Sequence, residues 1–321
     1  MIKATTLKQL FLEENFWLAE NTKDTITRAV KYFVAACGNR EIDRIEPADG
    51  ERYKGWHLKT HRSKTTANIH LRSVKRLLNW AVETRGLIES NPLAVTKQFK
   101  STRNPVVAYE AWQIERMIRE AKSLRWKAIL LAAWTTGLRR GALLNLTADN
   151  IREGFVFVEP KRKTGRTWPW EPKDKEIRQV PCVGLLQRML DALCADCYYP
   201  LLSPKRYGTL LDRSERGILA ERCRKCPEEN FRRTFVQIQS RAFGRQIGNF
   251  HTLRKTFTTD SIDEGLPAHF VMKLTGHSSL KTMTYYLASR ESYFAMARKA
   301  VEKRLLHTVK DGHEAPKHEA S

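Results

Sequence analysis

From about Leu7 to Ala94 the apolar residues recur three and four apart, as in LKQLFLEENFWLAE, TITRAVKYFVAACG and TTANIHLRSVKRLLNWAVETRGLI. That spacing lines them along one stripe of an α-helix. Gly38, Pro47, Gly86 and Pro92 punctuate the pattern, so residues 1–95 are expected to form a small all-helical domain of about four helices. Periodicity stops from Thr96 to Val107, TKQFKSTRNPVV, a polar and basic stretch with the character of an interdomain linker.

Helical spacing returns in YEAWQIERMIREAKS, RWKAILLAAWTTG and RRGALLNLTADN. The period then changes: GFVFVEP and KEIRQVPC alternate or run apolar over a few residues, as strands of a small antiparallel sheet do. Helices resume in VGLLQRMLDALC and continue through ENFRRTFVQIQSRAFGRQ, HTLRKTFTTDSIDEG, PAHFVMKLTG and ESYFAMARKAVEKRLL. The pattern predicts a mainly α chain with a small antiparallel β-sheet in two domains. The helical domain over 1–95 would be joined by the 96–107 linker to an α+β domain over 108–306, with 307–321 a disordered tail.

Composition adds a partner. The 57 Lys and Arg against 35 Asp and Glu give the 321 residues a formal net charge of +22. Solubility needs only roughly 2 to 8 charges on a small domain. Basic residues recur in every quarter of the chain, so the folded surfaces themselves should meet an extended polyanion. Charge alone also admits a ribosome-associated or generally sticky basic protein. No apolar run approaches the ~20 residues of a membrane span, and MIKATTLKQL has no signal-peptide core, so a cytoplasmic, nucleoid-associated location without a membrane partner is expected.

Six cysteines in a reducing compartment argue against a disulfide framework. Cys37 and Cys182 stand alone and read as small core residues. Cys194 and Cys197 in CADC, and Cys223 and Cys226 in CRKC, repeat the C-x-x-C knuckle that chelates tetrahedral zinc. They admit two readings: a structural zinc cross-linking the segment between them, or four separate thiols without metal. A redox pair fits less well, because no strand-helix context of the thioredoxin kind surrounds either.

Breaking a phosphodiester without a metal calls for cationic donors on the non-bridging oxygens, a nucleophile held in line and an acid for the leaving oxygen. Arginine suits the first task, because its planar fork grips phosphate oxygens and keeps its charge. Three segments can supply the set. In TTGLRRGALLNL, Gly137 breaks one helix and Arg139 opens the next. In HTLRKTF, His251 and Arg254 stand three apart on one helix face. In LTGHSSLKTMTYYL, Gly276 and the serines separate two helices around His277, and Tyr285 and Tyr286 follow.

In this order, behind a basic helical domain, these segments resemble the tyrosine recombinase family, which includes the phage integrases and the bacterial chromosome-dimer resolvases. The resemblance covers nearly the whole chain. It implies that Arg139 is the first catalytic arginine, that His251 and Arg254 are the histidine and second arginine, and that His277 is the further histidine. The nucleophile lies nine residues past that histidine, which selects Tyr286 over Tyr285. A lysine eight residues before the strand-closing Pro181 selects Lys173, with Lys163 and Lys175 as rivals.

By the same resemblance the fold is a helical core-type DNA-binding domain and a catalytic domain closing as a C-shaped clamp on DNA. Four protomers assemble on two duplexes, and the segment Glu291 to Leu306 docks on a neighbouring copy. The arginines and His277 hold the scissile phosphate, His251 helps remove the phenolic proton, and Tyr286 forms a 3′-phosphotyrosine. Lys173 protonates the departing 5′ oxygen. No catalytic metal or nucleotide is needed, and the family does not call for zinc. One departure stands out: three positions past Arg139, where an acidic residue is usual, the chain has Ala142. Two other readings stay open: a type IB topoisomerase-like enzyme, and a DNA-binding protein that keeps the fold without cutting.

Overall fold

A computed structural model describes residues 2–61, 63–100, 107–182, 184–228 and 230–277. The chain divides into two compact units, Met1–Asn104 and Pro105–Ser321.

The first unit is a helical bundle of α1 (Ala4–Glu14), α2 (Glu20–Cys37), α3 (Pro47–His61) and α4 (Lys64–Glu83). Leu7 and Phe11 of α1, Ile26, Val30 and Phe33 of α2, and Leu71, Val74 and Leu78 of α4 are buried together. These are the stripes that the three-and-four spacing announces. Ser63 starts α4 by accepting a hydrogen bond from the Thr66 amide at 3.2 Å.

The expected linker begins later than its composition implies. Asn68 of α4 exchanges two hydrogen bonds with the Phe99 backbone, both 2.9 Å, and Lys75 donates to the carbonyls of Ala94 and Thr96. Residues 96–99 are thereby fastened to the first unit, because side chains of α4 satisfy backbone groups that would otherwise face water.

The second unit is built around α6 (Leu124–Thr136), whose Ala128, Ile129, Leu130, Ala132 and Ala133 are buried on nearly every side. α5 (Ala111–Glu120), α8 (Gly184–Asp196) and α12 (His251–Asp263) pack against it. α6 ends where Gly137 turns left-handed at φ 61°, and the short α7 (Arg140–Leu144) follows. A Cβ on Gly137 would lie 2.2 Å from the Phe257 ring, so both the turn and the packing require glycine.

The sheet is an antiparallel meander of β1 (Ile151–Arg152), β2 (Phe155–Val158) and β3 (Arg178–Pro181). Glu153 and Gly154, with φ 55° and 76°, form the two-residue hairpin between β1 and β2. Val156 pairs with Val180, and Val156, Val158 and Val180 enter the core, which is the alternation seen in the sequence. The long connection from β2 to β3 folds back through paired Lys161 and Trp170. It ends in a turn closed by the Lys175 amide on the Pro172 carbonyl at 2.9 Å, which places Lys173 and Asp174 at the corner.

The segment after α8 carries α9 (Pro204–Glu215) and α10 (Glu221–Lys225). Buried Trp168 stacks on Tyr199 with centroids 4.2 Å apart, and the Asn145 side chain donates to the Arg224 carbonyl, joining this segment to α7. α11 (Phe231–Phe243), α12 and α13 (Ala268–Thr275) complete the described part. The threonines buried along α12 are satisfied locally: Thr256, Thr258 and Thr259 each donate to the carbonyl four residues back.

Candidate active site

Three chain breaks bring the motif residues together. Arg139 caps α7, two residues past the Gly137 turn. Arg254 lies in the first turn of α12, and His277 follows the left-handed Gly276 that ends α13. Each candidate side chain therefore stands where a helix begins or ends.

Arg254 is a buried cation, only 2% exposed. Its Nη1 donates to the Gly137 carbonyl at 2.7 Å, and its Nη2 lies 3.3 Å from His277 Nε2. Thr275 fixes the imidazole from the other side. Its hydroxyl donates to the Val271 carbonyl at 2.6 Å and lies 2.7 Å from His277 Nδ1, so Nδ1 carries the proton and Nε2 accepts from Arg254.

Arg139 is held by Asp174 Oδ2 on Nη1 at 2.7 Å and by the Gly276 carbonyl on Nη2 at 2.8 Å. The other oxygen of Asp174 pairs with Arg178 of β3, whose Nη1 donates to the Thr275 carbonyl at 2.7 Å. Burial alone would raise the Asp174 carboxyl, but hydrogen bonds and charge from the two arginines hold it below the usual carboxylate range. Sequence reasoning missed both Asp174 and Arg178. The one signal available was the missing acid at Ala142, a half-buried residue of α7, the helix that Arg139 opens, packed on the core.

The histidines feel this charge. Desolvation, then the positive charges of Arg254, Lys255, Arg139 and Lys173, lower His251 to about 4. Desolvation, then Arg254, Arg139, His251 and Arg178, lower His277 to about 3. Both rings are neutral at pH 7 and will gain basicity when an anion enters. Of the three candidate lysines, Lys173 is the one whose charge bears on His251. Lys163 instead donates to the Glu215 carbonyl at 3.2 Å, and Lys175 takes up the left-handed turn position at φ 58°. A cavity of about 360 Å³ opens beside His251 and Arg254, lined also by Arg140, Arg232, Phe231 and Phe250.

Tyr285 and Tyr286 lie outside the described residues, as do the 291–306 segment and the 307–321 tail. Cys194, Cys197, Cys223 and Cys226 are free thiols, and among the described residues no group of three or more His, Cys, Asp or Glu is placed to hold a metal. Burial, reinforced by Asp191 and Cys197, pushes Cys194 up to about 11. Burial raises Cys197 and Cys226 as well.

The site is a cluster of fixed cations around two neutral imidazoles, an environment suited to a phosphate group. Residues 109–292 match the model of the phage integrase family. The chain is 26% identical over 254 residues to tyrosine recombinase XerC of Thermodesulfovibrio yellowstonii, covering 77% of this chain and 78% of that one. Its fold is similar to that of the Tn1549 transposon integrase in complex with a circular intermediate DNA, with TM-score 0.69, 17% identity, and 94% of this chain and 100% of that one covered. It is similar too to lambda integrase in a tetramer bound to a Holliday junction, with TM-score 0.64, 16% identity, and 87% and 78% covered.

Proposed function

The chain belongs to the phage integrase family, and from that premise we propose that this site-specific tyrosine recombinase cuts DNA with Tyr286 at the cleft built by Arg139, Arg254, His251 and His277. The observation that carries the proposal is the convergence of those four side chains, from three separate helix ends, on one cationic cluster.

Arg139 and Arg254 donate to the non-bridging oxygens of the scissile phosphate. As Arg254 Nη2 turns from His277 to the phosphate, the freed Nε2 takes up a proton and becomes a further donor. The phosphate's negative charge offsets the cations that keep His251 acidic in the empty site. His251 can then accept the Tyr286 phenolic proton while the phenolate oxygen bonds to phosphorus. The P–O5′ bond breaks, Lys173 gives its proton to the 5′ oxygen, and a 3′-phosphotyrosine remains. A 5′-hydroxyl from a partner duplex reverses these steps and joins the new strand. Tyrosine recombinases need no catalytic cofactor, since the phosphotyrosine keeps the energy of the broken bond.

Duplex DNA is the proposed partner, and four copies on two duplexes the proposed assembly, supported by the net charge of +22 and by the likeness to an integrase tetramer. Among the described residues no helix is long and apolar enough to cross a membrane, and we place the protein with the nucleoid. A structural zinc would draw the four thiolates of Cys194, Cys197, Cys223 and Cys226 to one point, whereas separate thiols would hold none; the melting temperature of a zinc-free preparation distinguishes the two, falling in the first case and unchanged in the second.

The test uses a nicked suicide duplex. Wild type should accumulate a covalent complex, and Tyr286→Phe should bind equally and form none. A two-site substrate should then yield recombinant product, which a topoisomerase acting alone would not make.

A further inference from the structure

Resting on that reading of Arg139, we infer that Asp174 is its positioning residue: the carboxylate that fixes the arginine for phosphate and ties it to the turn carrying Lys173. Among the described residues, Asp174 is the carboxylate that pairs with Arg139, at 2.7 Å. It reaches Arg139 from 35 residues away in the chain, off the β2–β3 connection, where the helix position three past the arginine offers only the methyl of Ala142.

The carboxylate cannot follow a swinging guanidinium, because its second oxygen is held by Arg178, which is itself anchored on the Thr275 carbonyl. Gly276 seals the arrangement: a Cβ there would lie 1.8 Å from Arg178 Nη1 and 2.2 Å from Asp174 Oδ2. Three elements are thus joined through one carboxylate and the two arginines it holds, namely the start of α7, the strand β3 and the end of α13, whose carbonyls accept from both arginines. Two of the five N–H donors of Arg139 are used in this network, so three remain for a phosphate.

The pairing also acts on Lys173. Lys173 and Asp174 are adjacent corner residues of one turn, so fastening Asp174 to Arg139 sets the reach of the lysine relative to the arginine. A free side chain at either place would have to be ordered in each catalytic event.

A competing role has the opposite sign. If Asp174 merely occupied the arginine in place of DNA, removing its charge would speed cleavage and tighten binding. Single-turnover cleavage and DNA affinity are therefore measured for wild type, Asp174→Asn, Asp174→Asn with Ala142→Glu, and Arg139→Ala, with circular dichroism on each. Asp174→Asn keeps the shape and should cut about 10- to 100-fold slower with affinity unchanged. The double variant returns a carboxylate to the face of Arg139 from its own helix and should recover at least about 10-fold of that loss. Cleavage by Asp174→Asn at or above the wild-type rate overturns the inference. So does a double variant no faster than Asp174→Asn, or an Asp174→Asn protein that has lost its fold. Arg139→Ala separates the levels: if it cuts normally, the reading of the site itself fails, whereas an inactive Arg139→Ala beside a fully active Asp174→Asn sinks only the role of Asp174.

Discussion

The two units bury polar groups in opposite ways. In the first, Tyr53, His57 and His70 sit inside an aromatic nest, 0%, 0% and 5% exposed, with the His57 ring 5.0 Å from His61 and 5.7 Å from His70. His57 and the His70 Nδ1 make no side-chain hydrogen bond, and burial keeps these rings neutral, lowering His70 to about 4. In the second unit a full cation, Arg254, is buried as deeply, but a carbonyl oxygen holds it. The first nest suppresses charge and the second preserves it. A buried charge survives only where fixed dipoles or counter-charges replace water, and under the proposed function a phosphate would meet those groups already arranged.

The sharpest break of this contrast is a pair of substitutions. Arg254→Ala should lower single-turnover cleavage by about 1000-fold or more, because it removes a phosphate donor and frees His277. Tyr53→Phe, which deletes an equally buried polar atom of the first unit, should leave cleavage unchanged. Comparable losses in both would show that burial, and not held charge, is what matters.

Gly276→Ala comes next. It places a methyl against the Asp174–Arg178 pair at a left-handed backbone position, φ 65°, so cleavage should fall about 10- to 100-fold, with a lower melting temperature. Normal cleavage by this variant would mean the network tolerates displacement.

The pH response separates the nests by sign. His70 titrates near 6.5 when unfolded and at about 4 when folded, so the unfolded chain binds the extra proton between those values. Stability is complete above pH 6.5 and falls as pH drops toward 4, by on the order of 3 kcal/mol from His70 alone. Denaturant titrations of wild type and His70→Phe should show a flatter profile in the variant. At the active site, DNA should instead raise His251 and His277 from about 4 and about 3, so binding takes up protons and tightens as pH falls. Calorimetry in buffers of different ionisation enthalpy reads that uptake directly, and proton release on binding would contradict it.

The smallest effect is expected at Lys163, with Lys173 as its contrast. Lys163→Ala should cut within about twofold of wild type, since its ammonium is spent on the Glu215 carbonyl, while Lys173→Ala should slow cleavage about 100-fold. Equal losses would remove the distinction between them.

Much of this was legible because local chemistry marks it. Gly137 and Gly276 announce the helix ends that expose Arg139 and His277, and the spacing of His251 and Arg254 needs only the helical period. Alternation around Val156 and Val180 exposed the sheet. What escaped depends on contacts between distant segments. Beside Arg139 only the methyl of Ala142 hints that a carboxylate comes from elsewhere, without pointing to Asp174 in particular, and the nest of Tyr32, His57, His61 and His70 draws on three helices whose residues look unremarkable in each. The binding of Phe99 by Asn68 likewise converts part of an apparent linker into structure through one amide side chain.

The account rests on a phenol attacking a phosphate held by Arg139 and Arg254. The most direct measurement is to trap the protein on a nicked duplex, digest both polymers and sequence the nucleotide-bearing peptide by mass spectrometry. The account predicts a 3′-phosphate linked to the oxygen of Tyr286. A linkage on Tyr285, or a bound duplex with no linked peptide at all, would contradict it.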